Sequence, residues 1–305
     1  MATRGNLQNI SEYLATRLVL GVLGRLPVTI AMTIGQAIGL SAYVVAGDLR
    51  RTGRRNLLLA FPDKSESERK KLLIGCFRNL GRELGVFSHF QYSSQSELSE
   101  LFEVSGLEPF VKAKEEHNGV VLFTGHLGAW ELTSFGASVI GHPLSFLVRR
   151  LDNPKVEEIV DKARTRFGNE TIDKLGAARP MVKLLRSGKV LGLLIDLNTL
   201  DEEGIFVDFF GVPASTNFMV SKLALRTQSP IIPLFSPWLK DKKKFGLYFG
   251  EPVIPEPTGD EDKDVRHLTQ TLSQIVENMV RQYPDQWLWV HKRWKTRPPG
   301  EPAIY

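Results

Sequence analysis

The stretch GVVLFTGHLGAWEL, residues 119–132, runs apolar residues into His126, breaks on Gly125 and Gly128, and sets Glu131 five positions beyond the histidine. A carboxylate bonded to one ring nitrogen fixes an imidazole's tautomer and stabilises the imidazolium formed when the other nitrogen takes a proton, so the pair is a general base. On a straight helix, residues five apart lie roughly 140° apart round the axis. His126 and Glu131 therefore need a strand-to-helix turn to meet, and the two glycines give the backbone that freedom. No serine or cysteine nucleophile accompanies them: GxSxG is missing, and the one cysteine, Cys76, falls mid-helix on a packing face. A base without an enzyme nucleophile acts on a substrate hydroxyl, which points to transfer to an alcohol. A structural histidine capping the turn, with Glu131 favoured by the helix N-terminal field, fits the same residues. Residue chemistry alone leaves both open.

The elements that must position these groups read as an α/β fold, a largely buried mixed sheet flanked by helices. GVVLFTG, LSFLVRR, KVLGLLID, GIFVDFFG, PIIPLF and KFGLYFG are short apolar strands, and FEVSG is a short extended piece. Between them fall a helix entered through a capping box of Ser65 with Glu68, helices at about 109–116 and after Asn153-Pro154, and the helical stretches RPMVKLLRSG and NFMVSKLALRT. Ligands in such sheets bind beyond strand ends. His126, Arg149 with Arg150, and Asp196 all fall there. No strong linker interrupts 49–305, which is read as one domain following a membrane-associating helical segment, 1–48.

That N-terminal segment has no charged residue between Arg25 and Asp48. Its length approaches the roughly 20 residues of a bilayer span, but Gln36, two threonines and several glycines weaken it, so an interfacial helix competes with a span. A cleaved signal fits poorly, because arginines rather than small residues follow. Arg50, Arg51, Arg54 and Arg55 would hold the remainder at the cytoplasmic face. Lys292, Arg293, Lys295 and Arg297 among Trp287, Trp289 and Trp294 form a second cationic and aromatic cluster, expected to suit an anionic membrane or an acidic partner. The net charge of +5 among 305 residues does not by itself call for nucleic acid, and no nucleic-acid motif accompanies it. One cysteine excludes an internal disulfide.

FTGHLGAWEL resembles the histidine-four-residues-acid motif of membrane glycerolipid acyltransferases. RRNLLLAFPDKSESER, LDNP, GIFVDFFGVPASTNF with LALRTQSPIIPLF, and YPDQWLWVHKRWKTRPPG are similar, in the same order, to the late acyltransferases of lipid A biosynthesis, the lauroyl and myristoyl transferase family. The resemblance covers the chain from about residue 10. It implies an enzyme at the cytoplasmic face of the inner membrane that moves a fatty acyl chain from an acyl carrier protein thioester to a hydroxyl of a glycolipid, a lipid A precursor, with no metal or dissociable cofactor. His126 would then be the base, Glu131 its orienting acid, and Arg149, with Arg150 beside it, a phosphate or oxyanion ligand.

Three departures bear on the acceptor. Ala129 replaces the family's usual Asn. Lys174, in ETIDKL, stands where Arg is frequent, keeping the charge without the bidentate fork. Leu197 and Asn198 follow Asp196 where the family has polar residues, leaving Asp196 to bond the catalytic loop or the acceptor. Rival readings are an acyl-CoA-dependent acyltransferase of another membrane lipid and a non-catalytic lipid-binding protein. His89, His117, His142 and His267 show no metal-ligand spacing and no glycine-rich nucleotide loop is present. Trp130 is expected in the core or on the wall of an acyl channel.

Overall fold

A computed structural model describes residues 6–200 and 204–305. In chain order its elements are α1 (Asn6–Leu23), α2 (Val28–Val45), α3 (Gly47–Ala60), α4 (Glu66–Phe87), a 3-10 turn (Ser88–Gln91), α5 (Gln95–Ser99), β1 (Phe102–Ser105), α6 (Leu107–Glu116), β2 (Val120–Thr124), α7 (Glu131–Val139), β3 (Ser145–Val148) and α8 (Pro154–Thr165). There follow β4 (Glu170–Asp173), α9 (Ala178–Arg186), β5 (Val190–Leu194), β6 (Gly204–Phe209), β7 (Val212–Asn217), α10 (Met219–Thr227), β8 (Ile231–Phe235), β9 (Trp238–Leu239), β10 (Lys244–Phe249) and α11 (Glu261–Gln282).

The sheet runs β1-β10-β8-β2-β5-β3-β4, with β9 on β10. Its centre is parallel: β2 lies between β5 and β8, and β3 joins β5 to β4. β10 runs antiparallel to β8, which makes the sheet mixed. β2 and β8 are buried along their whole length, which explains their continuous apolar runs. One face packs against α9, α10 and α11 through residues such as Met181, Leu223 and Leu272; the other packs against α6 and α7 through Phe110, Leu132 and Phe135.

The local signals act as the sequence leads one to expect. Ser65 Oγ accepts the Glu68 N–H at 3.3 Å while Glu68 Oε2 accepts the Ser65 N–H at 2.8 Å, closing the capping box of α4. Asn153 caps α8 by accepting the Lys155 N–H, with Pro154 in the first turn. Some elements fall outside the expected set. GIFVDFFG is a strand, but as β6 it leaves the main sheet and pairs with β7 in a separate antiparallel hairpin. β4 is an edge strand with no buried residue, so it lacks the apolar run that marks the others. α11 has no counterpart among the expected elements, although Val265, Leu268, Leu272, Val276 and Val280 form its buried stripe.

α2 is the one helix among the described residues long and apolar enough to cross a membrane. It lies along α4, with Gly35 and Gly39 set against the backbone of Phe77 and Gly81 so closely that a Cβ at either position would fall about 2 Å from a carbonyl oxygen, at 2.0 and 2.1 Å. Glycines four apart let two helix backbones touch. Ile30, Ile34 and Ile38 of α2, with Leu14, Leu18 and Val22 of α1, remain exposed. Arg50 turns back onto the Tyr43 and Val44 carbonyls at the end of α2, while Arg51, Arg54 and Arg55 are exposed.

The C-terminal cluster corrects the surface reading. Trp287, Trp289, Trp294 and Arg293 are each no more than 1% exposed. Trp289 donates to the Pro284 carbonyl at 2.6 Å, and Arg293 donates to the Ser215 carbonyl at 2.6 Å. These large side chains close the core beneath the sheet and the β6–β7 hairpin; only Lys292 and Lys295 of the cluster's cations are fully exposed.

Candidate active site

His126 lies two residues beyond the end of β2, and Asp196 two residues beyond the end of β5. The strands are parallel neighbours in a register that sets Thr124 opposite Leu194, so the sheet itself delivers the two side chains to one point. His126 Nδ1 is 2.7 Å from Asp196 Oδ1. Asp196 Oδ2 accepts the His126 backbone N–H and the Trp287 indole N–H, both at 2.7 Å. Asp196 is 3% exposed. Burial pushes its carboxyl up, but the His126 charge and the donors from His126 and Trp287 outweigh that and hold it below the ordinary aspartate value. An ionised carboxylate only accepts, so Nδ1 carries a proton, and in the neutral ring Nε2 is the nitrogen left with a lone pair. Nε2 has no hydrogen-bond partner among the described residues, and His126 lines a cavity.

The turn that carries the histidine is held from three directions. Asn79 of α4 donates to the Gly128 carbonyl at 2.6 Å, Ala129 N–H donates to the Ser236 carbonyl at 2.8 Å, and the Leu288 N–H donates to the His126 carbonyl at 2.9 Å. Gly128 has φ +66° and would drive a Cβ to 2.1 Å from the Ser236 oxygen, so glycine is required there. A Cβ on Gly125 would come within 2.9 Å of Asp196 Oδ2, which makes that glycine the condition for the carboxylate's approach.

Glu131 is placed differently from its expected role. It opens α7, and its carboxylate is gripped by Arg164 of α8, Nη2 to Oε1 at 2.7 Å and Nε to Oε2 at 3.2 Å. The acid bonded to the His126 ring is Asp196, because parallel pairing of β2 and β5 brings it there while the turn sends Glu131 toward α8. Beneath this ion pair, Glu83 of α4 accepts the Glu131 N–H at 3.0 Å. Burial drives the Glu83 carboxyl well above its usual range, that N–H offsets the shift in part, and the nearby Glu131 charge adds to it.

His126, Trp130, Glu131, Arg149 and Arg164 line one cavity of about 190 Å³, whose remaining wall includes Leu122, Leu144, Phe146, Leu193, Leu194 and Leu234. Trp130 packs beside His126, ring centroids 5.2 Å apart. Apolar walls together with an imidazole and two guanidiniums fit a hydrocarbon chain with a polar head.

The other expected ligands divide. Arg149 lines the cavity and is exposed, with a long contact of 3.5 Å to Asp152. Arg150 does not: its guanidinium is taken by Glu157 and Asp161, both at 2.9 Å, and it ties the start of α8 together, which corrects its assignment to substrate. Lys174 is exposed just after β4 and is not part of the cavity wall. Of the two contacts expected of Asp196 it makes the one to the loop carrying His126, accepting that backbone N–H at 2.7 Å, and being buried and fully engaged it has no face left for an acceptor. Arg164, Glu83, Asn79 and the role of Trp287 were missed: the first three have no local motif, Trp287 sits in YPDQWLWVHKRWKTRPPG without a sign of its partner, and each reaches the site from another element. Cys76 is buried and its thiol is pushed up by burial to about 12, far from a thiolate nucleophile. Among the described residues no group of His, Cys, Asp and Glu could hold a metal.

The model of the family described as bacterial lipid A biosynthesis acyltransferase matches residues 7–296. The chain is 26% identical over 303 residues to a lipid A biosynthesis lauroyltransferase of Escherichia coli K12, covering 96% of this chain and 95% of that one. It is 28% identical over 303 residues, with the same coverage of 96% and 95%, to a lipid A biosynthesis palmitoleoyltransferase of that organism. It is 29% identical over 287 residues to a lipid A biosynthesis acyltransferase of Haemophilus influenzae, covering 92% and 89%.

Proposed function

Since the chain belongs to the bacterial lipid A biosynthesis acyltransferase family and is an acyltransferase, we propose that it moves a fatty acyl chain from an acyl carrier protein thioester to a hydroxyl of a lipid A precursor, with His126 as base and Asp196 as the acid that orients it. The observation that carries this reading is the 2.7 Å His126–Asp196 pair opening, through Nε2, on an apolar cavity.

The acceptor hydroxyl gives its proton to Nε2 as its oxygen attacks the thioester carbonyl carbon, and Asp196 stabilises the resulting imidazolium. The tetrahedral oxyanion collapses, the C–S bond breaks, and the leaving thiolate takes the proton back from His126. Arg149 at the cavity mouth is placed to neutralise a phosphate of the acceptor or the developing oxyanion. The Glu131–Arg164 pair fixes the wall beside the base. The exposed apolar faces of α1 and α2 lie in the cytoplasmic surface of the inner membrane, which supplies the lipid acceptor without requiring α2 to leave its seam with α4.

The test is mass spectrometry of lipid A from cells lacking this protein, complemented with the wild type or with His126→Ala. A missing acyl group restored only by the wild type is expected; a lipid profile indifferent to both would overturn the reading.

A further inference from the structure

A second concavity, about 810 Å³, lies between α9 and α10 on the sheet face opposite α7. Its floor is apolar, with Met181, Val182, Phe218, Met219 and Leu223. Its rims are cationic. Arg179, Lys183 and Arg186 recur along α9 at spacings of four and three, and Lys222 and Arg226 are four apart on α10. All five are exposed, and no Asp or Glu lines the groove among the described residues. Only Lys222 has a carboxylate nearby there, Glu261 at 3.7 Å. Some surface lysines elsewhere are paired more closely, Lys162 with Glu158 and Lys242 with Glu103 both at 2.6 Å, while Lys112 stands 3.9 Å from Glu116. Like charges three and four apart on a helix cost stability. Two such stripes facing one apolar floor suit a helix with an apolar ridge and acidic flanks.

Topology places the groove's entrance. α9 leads into β5 and α10 into β8, and both strands run parallel with β2. Arg179, Phe218 and Lys222, at the helix starts, therefore sit toward the end of the sheet where His126 and Asp196 emerge.

We propose that the α9–α10 groove docks an acidic helix of the carrier protein that holds the acyl thioester. This rests on the carrier-protein donor argued above and locates its surface. The docked protein lies against one sheet face while its flexible arm crosses the end of β5, past the exposed Leu194, into the cavity that Leu194 also lines.

Transfer kinetics with purified full-length protein test this, using acyl carrier protein thioester and acyl-CoA as alternative donors. The triple variant Arg179→Glu, Lys183→Glu, Arg226→Glu is expected to raise KM for the carrier thioester about tenfold or more with kcat at saturation retained, and to flatten the salt dependence seen between about 0.05 and 0.5 M. Lys183→Ala alone shifts KM the same way by less, which covers a triple variant that fails to fold. An unchanged KM overturns the docking surface while leaving the donor reading intact. A wild-type enzyme that transfers from acyl-CoA and not from the carrier thioester overturns that reading, and the surface with it. Loss of binding to anionic phospholipid vesicles with an unchanged KM assigns the groove to the membrane and overturns the proposal.

Discussion

Two carboxylates stand at the same end of the sheet and do different work. Asp196 is sealed from solvent, accepts three hydrogen bonds, and touches the imidazole that faces the cavity. Glu131 is half-exposed to that cavity and spends both oxygens on one guanidinium. Burial among fixed donors suits the first to the orienting role proposed for it, in which its charge matters when the imidazole gains a proton. The bidentate pairing makes the second a strut between α7 and α8 that shapes the wall and offsets Arg164. Proximity in sequence favours Glu131 as the partner of His126; strand register decides for Asp196.

Substitutions can break that contrast. His126→Ala removes the base and is expected to lower kcat about 10⁴-fold, measured as product ester formed at saturating donor. Asp196→Asn keeps the shape but removes the charge and turns one of the two accepting oxygens into a donating NH2, so it is expected to lower kcat about 10³-fold with KM little changed. Glu131→Gln breaks the ion pair without touching the imidazole; a loss of about tenfold, carried mainly by KM for the acyl donor, is expected. A larger kcat loss for Glu131→Gln than for Asp196→Asn would reverse the assignments.

Two smaller effects sharpen it through pH. Because the folded-state pKa of Asp196 is depressed, its contribution to stability is complete above the unfolded value of about 3.9 and is lost as pH falls through the folded value. Glu83 has the opposite sign. Its raised folded pKa means its contribution is complete below the unfolded value of about 4.3 and is lost as pH rises through the folded one. Glu83→Gln, which can still accept the Glu131 N–H, is therefore expected to gain Tm over the wild type progressively as pH rises from about 5 to 8. A gap that is constant across pH would contradict the upward shift that burial gives the Glu83 carboxyl.

What the sequence revealed follows the range of the interactions. Apolar runs made β2, β5, β8 and β10 legible, and capping residues placed the starts of α4 and α8. His126 was legible because glycines and a strand frame it. Its acid was not, since 70 residues separate it from Asp196 and only the neighbouring of β2 and β5 joins them. Composition misled at the C-terminus: tryptophans among cations suit a membrane surface as well as a core, and the Trp287 N–H bond to Asp196 shows which holds here. Arg150 looked available beside Arg149 because the acids that occupy it come seven and eleven residues later, on α8.

The pairing at the centre of this account is read most directly from the imidazole itself, by proton NMR of the protein labelled with ¹⁵N-histidine. A strongly downfield His126 Nδ1–H resonance is expected in the wild type, retained in Glu131→Gln and lost in Asp196→Asn. Loss of that resonance in Glu131→Gln, with persistence in Asp196→Asn, would contradict it.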